Sequence, residues 1–219
     1  MSTRSKFDNK LMQLKEKLLV MEGLAEQALK NSVSALINQD IEKANLVINS
    51  DSQINSLEHE IHDKALLLIT RESPVAKDLR SLNVALKVSS EIERMADLAV
   101  NIAKATVHIG ADKHFKEIVD IQKMMDTALE MVAMSIKAYI SEDILLAQKC
   151  AEKDDEVDKM FGNLVHELIS LVPENPNATN QIIQLSFVCR FIERIADHST
   201  NISENVIYLV TGKRFELNT

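Results

Sequence analysis

The heptapeptide "EIERMAD" at residues 91–97 returns as "FIERIAD" at residues 191–197, one hundred positions later. Each copy sets two acids four positions apart, Glu93 with Asp97 and Glu193 with Asp197. On an α-helix that spacing turns successive side chains by only about 40° and lifts them by about 6 Å, so Asn101 and Asn201, four further on, prolong the same stripe. With Glu93 as origin, Ala85, Ile92, Ala96, Ala99 and Ala103 fall about 60–120° to one side. The stripe therefore runs along the border of a buried face. Like charges at this spacing cost about 0.2–0.5 kcal/mol on an exposed helix, and more where water is partly excluded. A chain that keeps the arrangement twice needs something that offsets the repulsion.

Working outward, the second half of the sequence replays the first. Asp40-Ile41 matches Asp143-Ile144 and Ile54-Asn55 matches Val157-Asp158, each displaced by 103 positions. Leu82, Glu93, Asp97 and Asn101 match Ile182, Glu193, Asp197 and Asn201, each displaced by 100. The three-residue difference falls at the turns around Pro74 and Pro173. Breakers at Asn38-Gln39-Asp40, Ser73-Pro74, Gly110-Ala111-Asp112, Ser141-Glu142-Asp143 and Pro173–Pro176 leave six helical segments: 8–37, 40–70, 75–109, 114–140, 143–172 and 177–210. In the first segment Leu11, Leu14, Leu18, Met21, Ala25, Ala28, Ser32 and Leu36 mark a three-four seam. Helices of about thirty residues far exceed the usual mean of about 11–12, which implies elongated rods. Three rods joined by short turns can share one seam. The expected fold is all-α: two tandem, pseudo-symmetric, antiparallel three-helix bundles, six long helices in all. Gly110 marks the expected boundary, dividing the chain into 1–111 and 112–219.

Composition narrows the function. There is no Trp, aromatics make up 4%, and four Gly and three Pro punctuate 219 residues, which disfavours sheets and their turns. Twenty-five basic against thirty-three acidic residues give a formal charge of −8. No basic footprint for nucleic acid is present, and an anionic membrane is an unfavourable surface for the same reason. The N-terminal MSTRSKFDNK lacks the apolar centre of a signal peptide, and no apolar run approaches a bilayer span. A cytoplasmic protein is expected. Cys150 and Cys189 stand outside any CxxC spacing and read as small hydrophobes in a reducing compartment.

A second pair of stripes lies on the middle helix of each half. Asp51 and Asn55, followed by Glu58, correspond to Asp154 and Asp158. Carboxylate and amide oxygens gathered from two adjacent helices suit a hard or borderline cation such as magnesium, manganese or iron, rather than copper or thiolate-bound zinc. Surface ion pairing is the competing reading. Arg94 and Arg194 sit within the motifs, and Arg190, three residues before Glu193, can neutralise that acid, whereas Ser90 occupies the matching place in the first half. The residues alone leave both readings open. None of the six histidines follows a Glu by three positions, which removes the ligand pattern of ferritin-like di-iron bundles. His198, next to Asp197, is a minor candidate ligand with Leu98 as its counterpart. Glycine-rich phosphate loops, HExxH and GxSxG are absent, so no enzyme is expected. The methionines mostly keep seam spacing and read as core.

These residues resemble a known family. "ERMADLAVNIA" (93–103), "ERIADHSTNI" (193–202), "SPVAKDLR" (73–80) and "YLVTGK" (208–213) are similar to the PhoU family of phosphate-transport accessory and regulatory proteins, along nearly the whole chain. The resemblance implies two pseudo-symmetric three-helix bundles with metal, iron above all and zinc, manganese or magnesium besides, at the acid motifs. By position, the implied ligands are Glu93 and Asp97 in one half and Glu193 and Asp197 in the other. Asn101 and Asn201 match the motif extension, and Asp51, Asn55, Asp154 and Asp158 match the middle-helix acids. One departure is Ala96 and Ala196, where the family often has glycine; alanine is still small. The implied role is negative regulation of the phosphate-starvation response. The protein would link the ATPase of the phosphate ABC transporter to a sensor histidine kinase at the inner face of the membrane, with a homodimer left open. A metal-handling or storage bundle, and a paralogue serving another transporter, are the alternatives.

Overall fold

In the computed structural model of the chain, residues 3–111 and 113–217 are described, with side chains from Phe7 onward. Asp112, on the far side of the expected boundary, lies outside the described residues, as do Met1 and Ser2. The helices are α1 (Thr3–Asn38), α2 (Ile41–Glu72), α3 (Lys77–Ile109), α4 (Val119–Ser141), α5 (Ile144–Glu152), α6 (Asp154–Ser170) and α7 (Thr179–Thr211), with a short 3₁₀ turn at Pro176–Ala178 before the last. No strand occurs among the described residues.

The duplication is visible in the turns. α1 ends at Gln39 and α4 at Glu142, both left-handed, with φ of 55° and 53°. The next residue's N–H then reaches back five positions, Asp40 to the Ala35 carbonyl at 2.9 Å and Asp143 to the Ala138 carbonyl at 3.0 Å. This closure satisfies carbonyls that the helix end leaves open. The same two aspartates then cap the following helix. Asp40 accepts from the Lys43 N–H at 2.9 Å and Asp143 from the Leu146 N–H at 3.0 Å, the side-chain capping that favours Asp at this position.

The fifth rod is one expected helix with a single interruption. Lys153 keeps helical dihedrals (φ −75°, ψ −18°), but the Lys153 and Glu156 N–H groups bond to carbonyls three residues back, at 3.2 and 3.1 Å. The ladder tightens there into a 3₁₀ step, and α6 opens on Asp154, Asp155 and Glu156, acids that suit the positive end of a helix. The matching stretch of α2 runs through Ser50 without a break. The start of α4 is a correction to the sequence reading. Residues 114–118 are not helical, because tertiary partners claim them: the Phe115 N–H donates to Gln181 Oε1 at 2.8 Å, and His114 Nε2 lies 2.8 Å from the Leu36 carbonyl.

α1 and α2 pack on α3, and α4, α5 and α6 pack on α7. α3 also packs along α7, so the two innermost helices join the halves and one apolar core runs through both. They are antiparallel: Arg80 lies beside Gly212, Glu91 bonds His198, and the His108 carbonyl accepts from Asn180. Ala96, Ala99, Ala103, Ala196, Ser199 and Ser203 of these two helices are all buried, small side chains that let packed neighbours lie close to them. Cys150 and Cys189 are buried and unbridged. Burial pushes their thiols up to about 11 and about 12, as expected of inert core residues.

Gly212 ends α7 in the left-handed region at φ +74°, where an added Cβ would stand 3.2 Å from Arg80 Nη1. Gly23, in the exposed interior of α1, has open space around it. Gly212→Ala should lower stability by about 1–2 kcal/mol, while Gly23→Ala should raise it by about 0.5–1 kcal/mol. Urea denaturation of the two variants checks the opposite signs.

Candidate functional site

The middle and last helices of each half bring the acid stripes into one another's field. In the first half Asp51 of α2 faces Glu93 and Asp97 of α3. Glu93 holds its proton above the usual carboxylate range because of desolvation, with Asp97, Glu58 and Asp51 adding to the effect and Arg94 opposing it. Asp97 is raised by desolvation and by Asp51, against Lys104. In the second half desolvation pushes Glu193 up to about 7; Asp197, Asp158 and Asp154 raise it further and Arg190 pulls it down. Asp197 is raised by desolvation and Asp158, against Arg190, His198 and Arg194. Excluded water and neighbouring carboxylates act in the same direction in both clusters.

Several oxygens in these clusters are buried without a hydrogen bond. The Asn55 amide donates to Asp51 Oδ2 at 3.0 Å, leaving Asp51 Oδ1 and Asn55 Oδ1 buried and unbonded. Glu193 is only 8% exposed; its Oε1 accepts from Arg190 Nη1, and its Oε2 has no hydrogen bond. Asp154 is buried at the start of α6, while Asp158 one turn on is exposed. Among the described residues, no three His, Cys, Asp or Glu side chains converge tightly enough to enclose an ion as they lie. The donor set, carboxylate and amide oxygens with buried lone pairs left over, is of the chemical kind that suits a hard or borderline cation.

The asparagines that prolong the stripes part company. Asn101 is half-buried on α3. Asn201 is turned into the α3–α7 seam, where its amide donates to Glu91 Oε2 at 3.3 Å. His198 goes the same way: it is 6% exposed, and its Nδ1 lies 2.7 Å from that Glu91 oxygen. The histidine singled out beside Asp197 therefore belongs to a polar contact between the halves. The sequence reading passed over Glu91. Its signal lay in the duplication, since Glu91 and His198 match Phe191 and Leu98, polar residues at one set of positions and apolar ones at the other. Glu58, which follows Asp51 and Asn55 on α2, accepts from the Ser90 hydroxyl at 3.1 Å and lies 3.0 Å from His62 Nε2.

Both halves, at residues 18–106 and 121–206, match the model of the PhoU domain. A relative in Clostridium acetobutylicum, described as a phosphate-specific transport system accessory protein PhoU homolog, is 35% identical over 217 residues, covering 99% of each chain. Two solved structures share the fold. The crystal structure of PhoU from Pseudomonas aeruginosa superimposes with a TM-score of 0.90 at 31% identity, covering 94% of this chain and 100% of that one. That of the phosphate transport system regulatory protein PhoU from Streptococcus pneumoniae gives 0.89 at 28% identity, covering 96% and 99%. With the domain matched twice and its relatives aligned nearly end to end, the chain belongs to the PhoU family.

Proposed function

We propose that this protein is a non-enzymatic, cytoplasmic regulator of phosphate transport that restrains the phosphate-starvation response when phosphate is plentiful. It acts by contact, joining the ATPase of the phosphate ABC transporter to the sensor histidine kinase. The names of its relatives support the link to phosphate transport. The fold supports an adaptor: long rods give extended faces, and no described helix is long and apolar enough to cross a membrane. Coupling between two partners requires that they bind two arrangements of the bundle, or two assembly states, with unequal affinity.

The observation that carries the reading is the pair of acid clusters with buried, unbonded oxygens. Asp51, Asn55, Glu93 and Asp97 would hold a cation in the first half, and Asp154, Asp158, Glu193 and Asp197 in the second. Iron, manganese, magnesium and zinc are the candidate metals. The ion supplies positive charge that quenches the repulsion and ties the middle helix of each half to the last. A clamp of that kind sets how α2 and α6 sit on the central pair, and hence the shape presented to partners.

Three outcomes are expected. Tagged sensor kinase and transporter ATPase should each retain the protein in a pull-down, with retention differing between high and low phosphate; empty beads under both conditions would sink the adaptor reading. Protein purified without an affinity tag should carry metal by elemental analysis, and replacing Glu93, Asp97, Glu193 and Asp197 by alanine should remove it and relieve repression of a phosphate-starvation reporter. The third outcome is pH dependence. Metal-free, the folded chain keeps the Glu193 proton up to about pH 7, while the unfolded chain releases it near 4.5. The folded state thus binds more protons across this window, and its stability should fall on the order of 1–2 kcal/mol as pH rises through it, levelling off above. Glu193→Gln should flatten that slope in chelator, and added Mn²⁺ should do so in the wild type, as followed by urea denaturation at stepped pH.

A further inference from the structure

Beyond Asn55 standing where the second half has Asp158, the two acid clusters differ at three matched positions around the acids. On α7, Arg190 bonds Glu193 Oε1 and rests its guanidinium over the Phe161 ring, 5.7 Å from the centroid. The residue matching Arg190 on α3 is Ser90, and those matching Phe161 and Val165 on α2 are Glu58 and His62. Where the second half carries a guanidinium and an aromatic ring to seat it, the first carries a hydroxyl, a further carboxylate and an imidazole. Ser90 donates to Glu58, and Glu58 adds to the negative field at Glu93. Arg190 instead subtracts from the field at both Glu193 and Asp197.

Arg190 does so incompletely. One guanidinium nitrogen serves one oxygen of Glu193, and the other oxygen of this nearly buried carboxylate stays without a hydrogen bond. The Arg190 side chain is itself 51% exposed, so it can swing off Glu193 into water with little loss of packing beyond the ring contact. A divalent cation entering the second cluster competes with a tethered positive charge. One entering the first meets weaker opposition, because Arg94 and Lys104 act on Glu93 and Asp97 through the field alone.

We propose that Arg190 is a built-in counter-cation standing in for the metal at the second cluster, so that the two halves load unequally. The first cluster, with Glu58 joining Asp51, Glu93 and Asp97, takes a divalent cation first; the second takes one only after the guanidinium leaves Glu193. The inference rests on the reading that both clusters are cation sites, and adds which half responds to metal supply and which residue sets the difference. A tethered unit charge within a few ångströms of a doubly charged ion shifts affinity by at least about tenfold at the effective dielectric of a protein surface.

The test uses the full chain, stripped with chelator and titrated with Mn²⁺ by equilibrium dialysis with elemental analysis. Wild type should show one tight class of site and a second at least about tenfold weaker. Arg190→Ser, which installs the first-half residue, should bring the weak class to within about threefold of the tight one, and Ser90→Arg should weaken the tight class by about tenfold or more. Arg190→Gln, which keeps a stem over Phe161 but removes the charge, should act like Arg190→Ser and separates charge from packing. Thermal melts confirm that each variant is folded. Two equal classes in the wild type, or a weak class unmoved by both Arg190 substitutions, overturns the inference and leaves the cation reading standing. Failure of every variant and of the wild type to bind Mn²⁺ overturns both.

Discussion

The packing of α3 along α7 is the constraint on which the remaining features rest. Two helices of 33 residues lie antiparallel, and each carries buried alanines and serines that let packed neighbours approach. Each is then wrapped on its remaining sides by the other helices of its own half. A helix enclosed on several sides has little border left for charge. Glu93, Asp97, Glu193 and Asp197 fall on that border because their four-residue spacing follows the edge of the alanine face. Their raised proton affinity is a consequence of that placement: water is partly excluded, and the nearest groups on the facing helix are again acids.

Duplication explains why the arrangement occurs twice, and divergence explains why the two copies are unequal. The repeated turns at Gln39-Asp40 and Glu142-Asp143 keep the same left-handed closure and the same capping carboxylate. Those features are local, and each half needs them for itself. Across the seam the pressure differs, because one face of each half meets a non-identical face of the other. Glu91 with His198 and Asn201 occupies one end, and Phe191 with Leu98 the matching one. A half-buried acid bonded to an imidazole and an amide contributes little net stability over an apolar pair, yet each member is costly to remove alone. A further ion-pair group joins the halves at the opposite edge, where Glu142 bonds Lys77 at 2.8 Å and lies 3.6 Å from Lys15.

The family places the chain among the accessory proteins of phosphate transport, and the physical features fit a component that works through contact. Long parallel-sided rods, a negative formal charge and two anionic clusters on separate faces of one continuous core give surfaces whose charge an ion can change. In the function proposed above, an ion held between a middle helix and a central helix would touch two of the three rods in its half, and its occupancy would be tied to the relative position of helices rather than to a single side chain.

How much of this was legible in the amino-acid sequence follows from the range of the forces involved. Helix class, the six rods and the duplication were legible, because periodicity, capping aspartates and proline turns act within a few residues. So was the pairing of Asp51 with Glu93 and Asp97, since a short turn leaves two consecutive helices little choice but to lie side by side. The late start of α4 was not, because it is decided by partners more than a few residues away, Leu36 and Gln181 for the segment before Val119; nor was the break at Lys153, where the sequence carries neither Gly nor Pro. Nor could spacing show that Asn201 and His198 turn from the acid stripe toward Glu91, or that Arg190 seats on Phe161. The sequence by itself determined which faces carry charge; only the tertiary structure decided which charges meet, because a helix presents several neighbouring rotamers at one border and the packed partner selects among them.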